Sequence, residues 1–311
     1  MTAPLEITTG RESGRKRPRG YIDWKPQAHV RVLLDQVAEV LDAYEEQLPV
    51  TVRQIFYALV GRFDYLKDER AYRRLCEHLG SARRAKRIPF DAIRDDGIVT
   101  ITNPRYAGIE DFYDETGRRA RAYRRDRQAG QEQYVELWCE AAGMLHQLNR
   151  VTEYYSVPVY SAGGFSSLTA NYEIAERALA RGVPTVLLHV GDFDPSGESI
   201  FTAMSEDAAA FVKADRVVEN LEIKAVRVAL TAEQVAGYDL PTAPPKKSDK
   251  RSKTWKGNTC QLEALPPDVL AEIVEDAIVE QLDLDRLARV LAAEASDRAE
   301  LLVLPPAGGS S

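Results

Sequence analysis

The sequence predicts a chain of mixed class, α/β plus α+β: an N-terminal winged-helix domain, a Rossmann-like α/β domain, and a C-terminal helical segment. Three observations predict it. Apolar residues recur at helical spacing in three successive segments before residue 90, and a short β-forming run follows them. Beyond residue 130, apolar runs of strand length alternate with helical segments, the pattern of a parallel sheet covered on both faces. Charge divides along the chain as well, +6 over residues 51–130 against −13 over the remainder. With 311 residues and 44% hydrophobic composition, the chain can bury a core in each of two domains of ordinary size.

Residues 1–25 contain "GRESGRKRPRG" and read as a disordered basic arm rather than an apolar signal segment. From Pro26 to Tyr44, "PQAHVRVLLDQVAEVLDAY" sets Val30, Val32, Leu33, Val37, Val40 and Leu41 on an amphipathic helix. "VTVRQIFYALVGRF" predicts a second helix with Thr51 as N-cap. "DERAYRRLCEHLGSARRAKRIPFDAI" predicts a third, broken at Gly80 or Ser81, with a basic cluster before Pro89. "DGIVTITNPRY" supplies the β-element, which completes the outline of a winged helix over residues 26–115. Residues 116–130, Arg/Gly/Gln-rich, read as a linker or a charged helix.

Residues 131–300 form the α/β unit and its extension. "YVELWCE", "VPVYSAG", "PTVLLHVGDFD" and "IKAVRVAL" are the strands, with helices between them; the second helix ends on Gly182. "DLPTAPPKKSDKRSKTWKGNT" is a long Pro/Lys/Ser-rich loop, the segment after it is acidic and helical, and residues 301–311 are a tail. The three cysteines, Cys76, Cys139 and Cys260, have no paired spacing, which argues against a disulfide framework or a zinc site. No apolar run reaches the roughly 18 residues a membrane helix needs, so a cytoplasmic protein without a membrane partner is expected.

In a doubly wound sheet, ligands bind beyond the carboxyl ends of the strands. Asp192 and Asp194 in "GDFDPSG" stand at such an end, and two residues apart on a strand they would point the same way, with Phe193 opposite. Pro195 suits the first helical position, and Gly197 allows close approach of a backbone or a phosphate. For this doublet alone, a helix cap and a solvated acid are the simpler account. Glu140 changes that: it closes the first strand, and if the first and third strands are adjacent it faces the doublet. Three carboxylates without a local counter-cation suit a hard divalent ion such as Mg²⁺.

A Glu closing the first strand, with D-x-D-P-x-G after the third, resembles the Toprim domain of topoisomerases, primases and some nucleases. The upstream "TVRQIFY", residues 51–57, is similar to the T-x-R-x-[IL]-[YF]-Y segment of the topoisomerase VI A subunit and the related meiotic double-strand-break transesterases. The resemblance covers roughly residues 30–240 and suggests a short, orphan A-subunit-like member. It implies Tyr57 as nucleophile, Arg53 one turn earlier beside it, and Glu140, Asp192 and Asp194 as Mg²⁺ ligands. It also implies a tyrosyl link to the 5′-phosphate of cleaved double-stranded DNA. The family's homodimer joins the tyrosine of one protomer to the metal site of the other, and a separate GHKL-type ATPase subunit is possible. A nucleoid-associated location follows. Ala141 stands where the family usually has a lysine, so the alignment there leaves Glu136 as the alternative ligand.

Arg83, Arg84, Lys86 and Arg87 fall where the recognition helix would meet DNA phosphates, and Lys246, Lys247, Lys250 and Lys253 are weaker candidates of the same kind. Solvated helix and loop faces are the plain alternative. The glycines of "SAGGFSS" are candidates for passing close to the metal crevice. A tyrosine hydroxyl titrates near ~10 and needs a neighbouring cation to react at neutral pH. Arg53 supplies charge but stays protonated, so no residue is assigned as the proton acceptor. Three rivals remain: a Toprim hydrolase with water as nucleophile, a non-catalytic DNA-binding protein, and a phosphotransferase using an aspartyl nucleophile.

Overall fold

The computed structural model describes residues 21–94, 105–161, 168–215, 221–245, 255 and 257–303. Helix α1 (Ala28–Ala43) buries Val30, Leu33, Val37, Val40 and Leu41, the stripe its spacing predicts, while Val32 is exposed. Strand β1 (Val50–Thr51) runs into α2 (Val52–Phe63) through a capping box. Thr51 Oγ1 accepts from Gln54 N at 3.2 Å, and Gln54 Oε1 accepts from Thr51 N at 2.8 Å. Helix α2 is buried from Gln54 to Leu59, so it is the centre of this unit rather than its surface.

Helix α3 (Glu69–Arg84) is capped by Asp68, whose Oδ1 accepts from Ala71 N at 2.6 Å. The expected break at Gly80 or Ser81 is absent, and the helix runs on to Arg84. Ser81 returns its hydroxyl to Glu77 O at 2.9 Å, and the buried Leu75, Leu79 and Ala82 carry the packed face across the glycine. Strand β2 (Ile93–Arg94) pairs in parallel with β1. The three helices follow the expected order, but β1, between α1 and α2, is not among the expected elements; the wing expected from residues 96–106 lies, up to residue 104, outside the described residues.

Residues 116–130 begin as the end of helix α4 (Ile109–Arg121), followed by a turn that is anchored rather than free. Arg127, Gln128 and Gln131 are buried, and Gln128 pairs with both backbone groups of Val135, at 2.7 Å and 3.1 Å.

Strands β3 (Tyr134–Cys139), β4 (Val159–Ser161), β5 (Thr185–Val190) and β6 (Ile223–Ala229) form a four-stranded parallel sheet in the order β4-β3-β5-β6. The first and third strands of the unit are thus neighbours, in register from Tyr134↔Thr185 to Cys139↔Val190. The connections carry α5 (Leu145–Thr152), α6 (Leu168–Arg181) and α7 (Pro195–Asp215). Alternation divides the core between the two faces. Val135, Leu137, Val186 and Leu188 pack with Leu148, Leu270 and Val274, whereas Trp138 and Leu187 pack with Ile174, Phe201 and Met204. Short α8 (Ala232–Gly237) follows β6, and α9 (Pro267–Val279) and α10 (Leu284–Val303) close the fold, α9 against the face that carries Leu148. Among the described residues, no helix is long and apolar enough to cross a membrane.

Candidate active site between the helical unit and the parallel sheet

The carboxyl end of the sheet faces helix α2. Strand β5 stops at Val190, earlier than the sequence suggests, so Asp192 and Asp194 belong to a turn rather than to a pleat. Arg227 of β6 fixes that turn. Its Nη2 donates to Gly191 O at 2.9 Å and Asp192 O at 2.6 Å, and its Nη1 meets His189 Nδ1 at 2.9 Å. His189, stacked on Phe201, is held neutral at ordinary pH, its pKa lowered to about 3 by burial and then by Arg227. Phe193 bridges to Cys260 through its backbone, and its ring meets the Trp255 ring edge-on, with centroids 5.0 Å apart.

Each carboxylate is engaged by backbone. Asp194 Oδ1 accepts from Gly197 N at 2.7 Å and so caps α7, which Pro195 begins. Asp192 Oδ1 accepts from Leu262 N at 2.9 Å, and Glu140 Oε2 accepts from Asp192 N at 3.1 Å. Glu140 lies one residue past β3, with its carboxylate wedged against two glycines. A Cβ at Gly191 would stand 2.5 Å from Glu140 Oε2, and one at Gly197 2.8 Å from it. Gly197 does serve close approach, and what approaches is the Glu140 carboxylate together with the Asp192 carbonyl, 2.9 Å from where a Cβ would stand. Burial, then Asp192, then Asp194 push the Glu140 carboxyl up to about 7. The three acids expected together therefore share one electrostatic neighbourhood. Among the described residues, no group of three or more His, Cys, Asp or Glu side chains forms a ready metal-ligand set.

Glu136, the alternative ligand, is occupied elsewhere. It is fully buried between Arg177, which donates to both its oxygens at 2.9 Å, and Arg181 at 2.7 Å, with Trp138 Nε1 at 3.2 Å.

Tyr57 and Arg53 reach this turn from α2. A cavity of about 460 Å³ is lined by Arg53, Tyr57, Lys67, Tyr72, Asp192 and Asp194, among others, and is closed by segments around Pro244 and Cys260. Tyr57 is 7% exposed, and its hydroxyl donates to Gln261 Oε1. Burial, then Glu263, raise its pKa, Arg53 opposes them, and Asp192 raises it further. The segment 259–264 is the element that sequence reasoning missed. It pairs with Ala243 and Phe193, accepts the Tyr57 hydroxyl through Gln261, and caps Asp192 through Leu262 N. Nothing in "TCQLEA" signals this, because each contact is made with a residue distant in the chain.

The basic cluster at the end of α3 divides by role. Arg83 donates to Phe90 O and Ile93 O, both at 3.1 Å, and covers the Phe90 ring, which ties α3 to β2. Lys86 and Arg87 are exposed, with Lys86 Nζ 4.4 Å from the Tyr21 ring centroid, and Arg84 is half-buried. Lys246, Lys247, Lys250 and Lys253, and the glycines of "SAGGFSS", lie outside the described residues. No protein-family model matches the chain, and no curated protein matches it.

Proposed function

We propose that the chain is a magnesium-dependent DNA-cleaving transesterase of the topoisomerase VI A-subunit type, with Tyr57 as nucleophile. The observation that carries this reading is the shared cavity: a tyrosine and an arginine from an N-terminal helix and two aspartates from the end of a parallel sheet line one space. In the reaction, Tyr57 Oη bonds to the phosphorus as the bond to the 3′ oxygen breaks. This leaves a tyrosyl 5′-phosphate and a 3′-hydroxyl. Arg53 offsets charge on the attacking phenolate and the phosphate.

Glu140, Asp192 and Asp194 would hold Mg²⁺, and their chemistry fits it. All donors are oxygens, and burial, followed by repulsion from Asp192 and Asp194, pushes the Glu140 carboxyl up to about 7, a cost that a dication relieves. When bound, the ion supplies a Lewis acid for the phosphate and the departing oxygen. Partner DNA, a homodimer and a separate ATPase belong to the same proposal. Because one chain lines both halves of the cavity, the reading does not require a tyrosine exchanged between protomers.

A second reading has one observation in its favour. The Tyr57 hydroxyl is hydrogen-bonded and its pKa raised, which suits a hydrolase that activates water and keeps the tyrosine as structure. Purified protein is incubated with supercoiled DNA and Mg²⁺, quenched with denaturant, and scored for nicks and for protein-linked ends. Adducts that vanish in Tyr57→Phe and in Asp192→Ala support the transesterase. Cutting that survives Tyr57→Phe without adducts assigns the hydrolase, and DNA binding with no cutting removes both.

A further inference from the structure

The cavity holds a second cation that no sequence motif marks. Lys67 stands in the turn between α2 and α3, after Asp64, which ends α2 in the left-handed conformation, and before Asp68, the cap of α3. The turn is fixed on both sides, by Tyr65 N bonded to Leu59 O at 3.2 Å and by Ala71 N bonded to Asp68 Oδ1 at 2.6 Å. Lys67 Nζ lies 5.5 Å from the Tyr57 ring centroid and donates to Pro241 O at 2.6 Å. That carbonyl comes from the segment that closes the cavity, so the ammonium sits where the two halves of the site meet. Among the described residues lining the cavity, Arg53 and Lys67 are the only lysine or arginine side chains, facing Asp68, Glu69, Asp192 and Asp194.

A phosphodiester entering beside two aspartates is repelled unless cations meet its oxygens. We propose that Lys67 is a substrate-contacting residue: with Arg53, it takes the non-bridging oxygens of a phosphodiester held between Tyr57 and the Asp192–Asp194 turn. The ammonium then exchanges a carbonyl oxygen for a charged phosphate oxygen, the stronger acceptor of the two. Arg53 lies one helical turn before Tyr57, so the two cations approach the tyrosine from α2 itself and from the turn that follows it. The inference rests on the phosphoryl-transfer reading for the identity of the ligand, but not on Tyr57 being the nucleophile.

The test measures binding of a fluorescein-labelled duplex of about 20 base pairs to the full chain, in EDTA, across a salt series. Lys67→Met is expected to weaken binding several-fold and to reduce the slope of log K against log salt by about one, with Lys67→Arg keeping both near wild type. An unchanged slope and affinity in Lys67→Met, with Tyr57-dependent adducts still forming in the separate Mg²⁺ cleavage assay, overturns this proposal alone. Lys67→Arg failing as badly as Lys67→Met, with both melting earlier, overturns it too and assigns Lys67 as a strut to Pro241. Lys67-dependent binding in EDTA, with no adduct when the same protein is incubated with supercoiled DNA and Mg²⁺, sinks the transesterase and leaves the phosphate contact standing. A wild-type chain that binds no DNA overturns both.

Discussion

The strand that delivers Glu140 is anchored by an ion pair whose loss can be put in numbers. Glu294 of α10 is 2% exposed and accepts from Arg127 Nε at 3.0 Å, Arg127 Nη2 at 2.7 Å, Arg125 N at 3.0 Å and Arg298 Nη2 at 2.5 Å. The Arg127 hydrogen bonds, foremost, hold its carboxyl down at about 2 against the opposing effect of burial. The unfolded value is near ~4.3, so ionised Glu294 with Arg127, the Arg125 N–H and Arg298 together contributes roughly 3 kcal/mol. Because the folded-state pKa is depressed, that stability is fully present above about pH 5 and is lost as pH falls toward 2, with about 1 kcal/mol gone by pH 3.5. Glu294→Gln keeps the shape but leaves Arg127 buried without its counter-charge, a change expected to cost about 3–5 kcal/mol. Urea unfolding followed by tryptophan fluorescence at pH 7 and pH 3.5 measures both effects. A loss under about 1 kcal/mol at pH 7, or an undiminished acid sensitivity in the variant, would refute the assignment.

Other substitutions separate structure from chemistry. Tyr57→Phe removes the bond to Gln261 and is expected to cost about 1 kcal/mol in urea unfolding, while protein-linked DNA ends disappear altogether. Gly197→Ala drives a methyl to 2.8 Å from Glu140 Oε2 and 2.9 Å from Asp192 O. A destabilisation of about 1–3 kcal/mol is expected together with weaker binding of Mn²⁺, read by the loss of its free-ion EPR signal. Glu136→Gln strands Arg177 and Arg181 and is expected to lower stability by about 3 kcal/mol, whereas the Mg²⁺ concentration for half-maximal cutting stays put in whatever folds. A shifted Mg²⁺ requirement in that variant would return Glu136 to the list of ligands.

Much of the fold was legible because it is written in local pattern. The apolar stripe of α1, the Thr51 cap of α2 and the strand–helix alternation after residue 130 follow from periodicity, whereas the adjacency of β3 and β5, a condition of the sequence reading, is supplied by the sheet order. Gly80 misled because a glycine inside a helix costs only about 1 kcal/mol, less than the burial of Leu75 and Leu79 on either side returns. Composition alone made residues 116–130 look like a linker or a charged helix; the helix holds to Arg121, and the linker reading fails beyond it because a buried Arg127 reads as solvent-facing until its partner on α10 is known. At the site, the family resemblance supplied Tyr57 and Arg53, and the strand-end pattern supplied the D-x-D doublet, though on a pleat rather than in the turn it occupies. Lys67, Gln261 and Arg227 were invisible because each gains its role from a residue on another element.

Those long-range contacts also couple the two halves of the cavity. Gln261 and Leu262 are consecutive, and one accepts the Tyr57 hydroxyl while the other caps Asp192. A displacement of this segment therefore frees the phenol and the aspartate together. Electrostatics ties them a second time, since Asp192 is among the charges that raise the Tyr57 pKa and that act on Arg53. Neutralising Asp192, by a bound cation or by Asp192→Asn, must lower the Tyr57 pKa, whatever else it does to binding. The two substitutions most used to dissect such a site are thus not independent. A double-mutant cycle of Tyr57→Phe and Asp192→Asn on stability is expected to show a coupling of about 0.5 kcal/mol or more, carried by the Gln261–Leu262 segment. Strict additivity would mean that this segment bends without transmitting either contact.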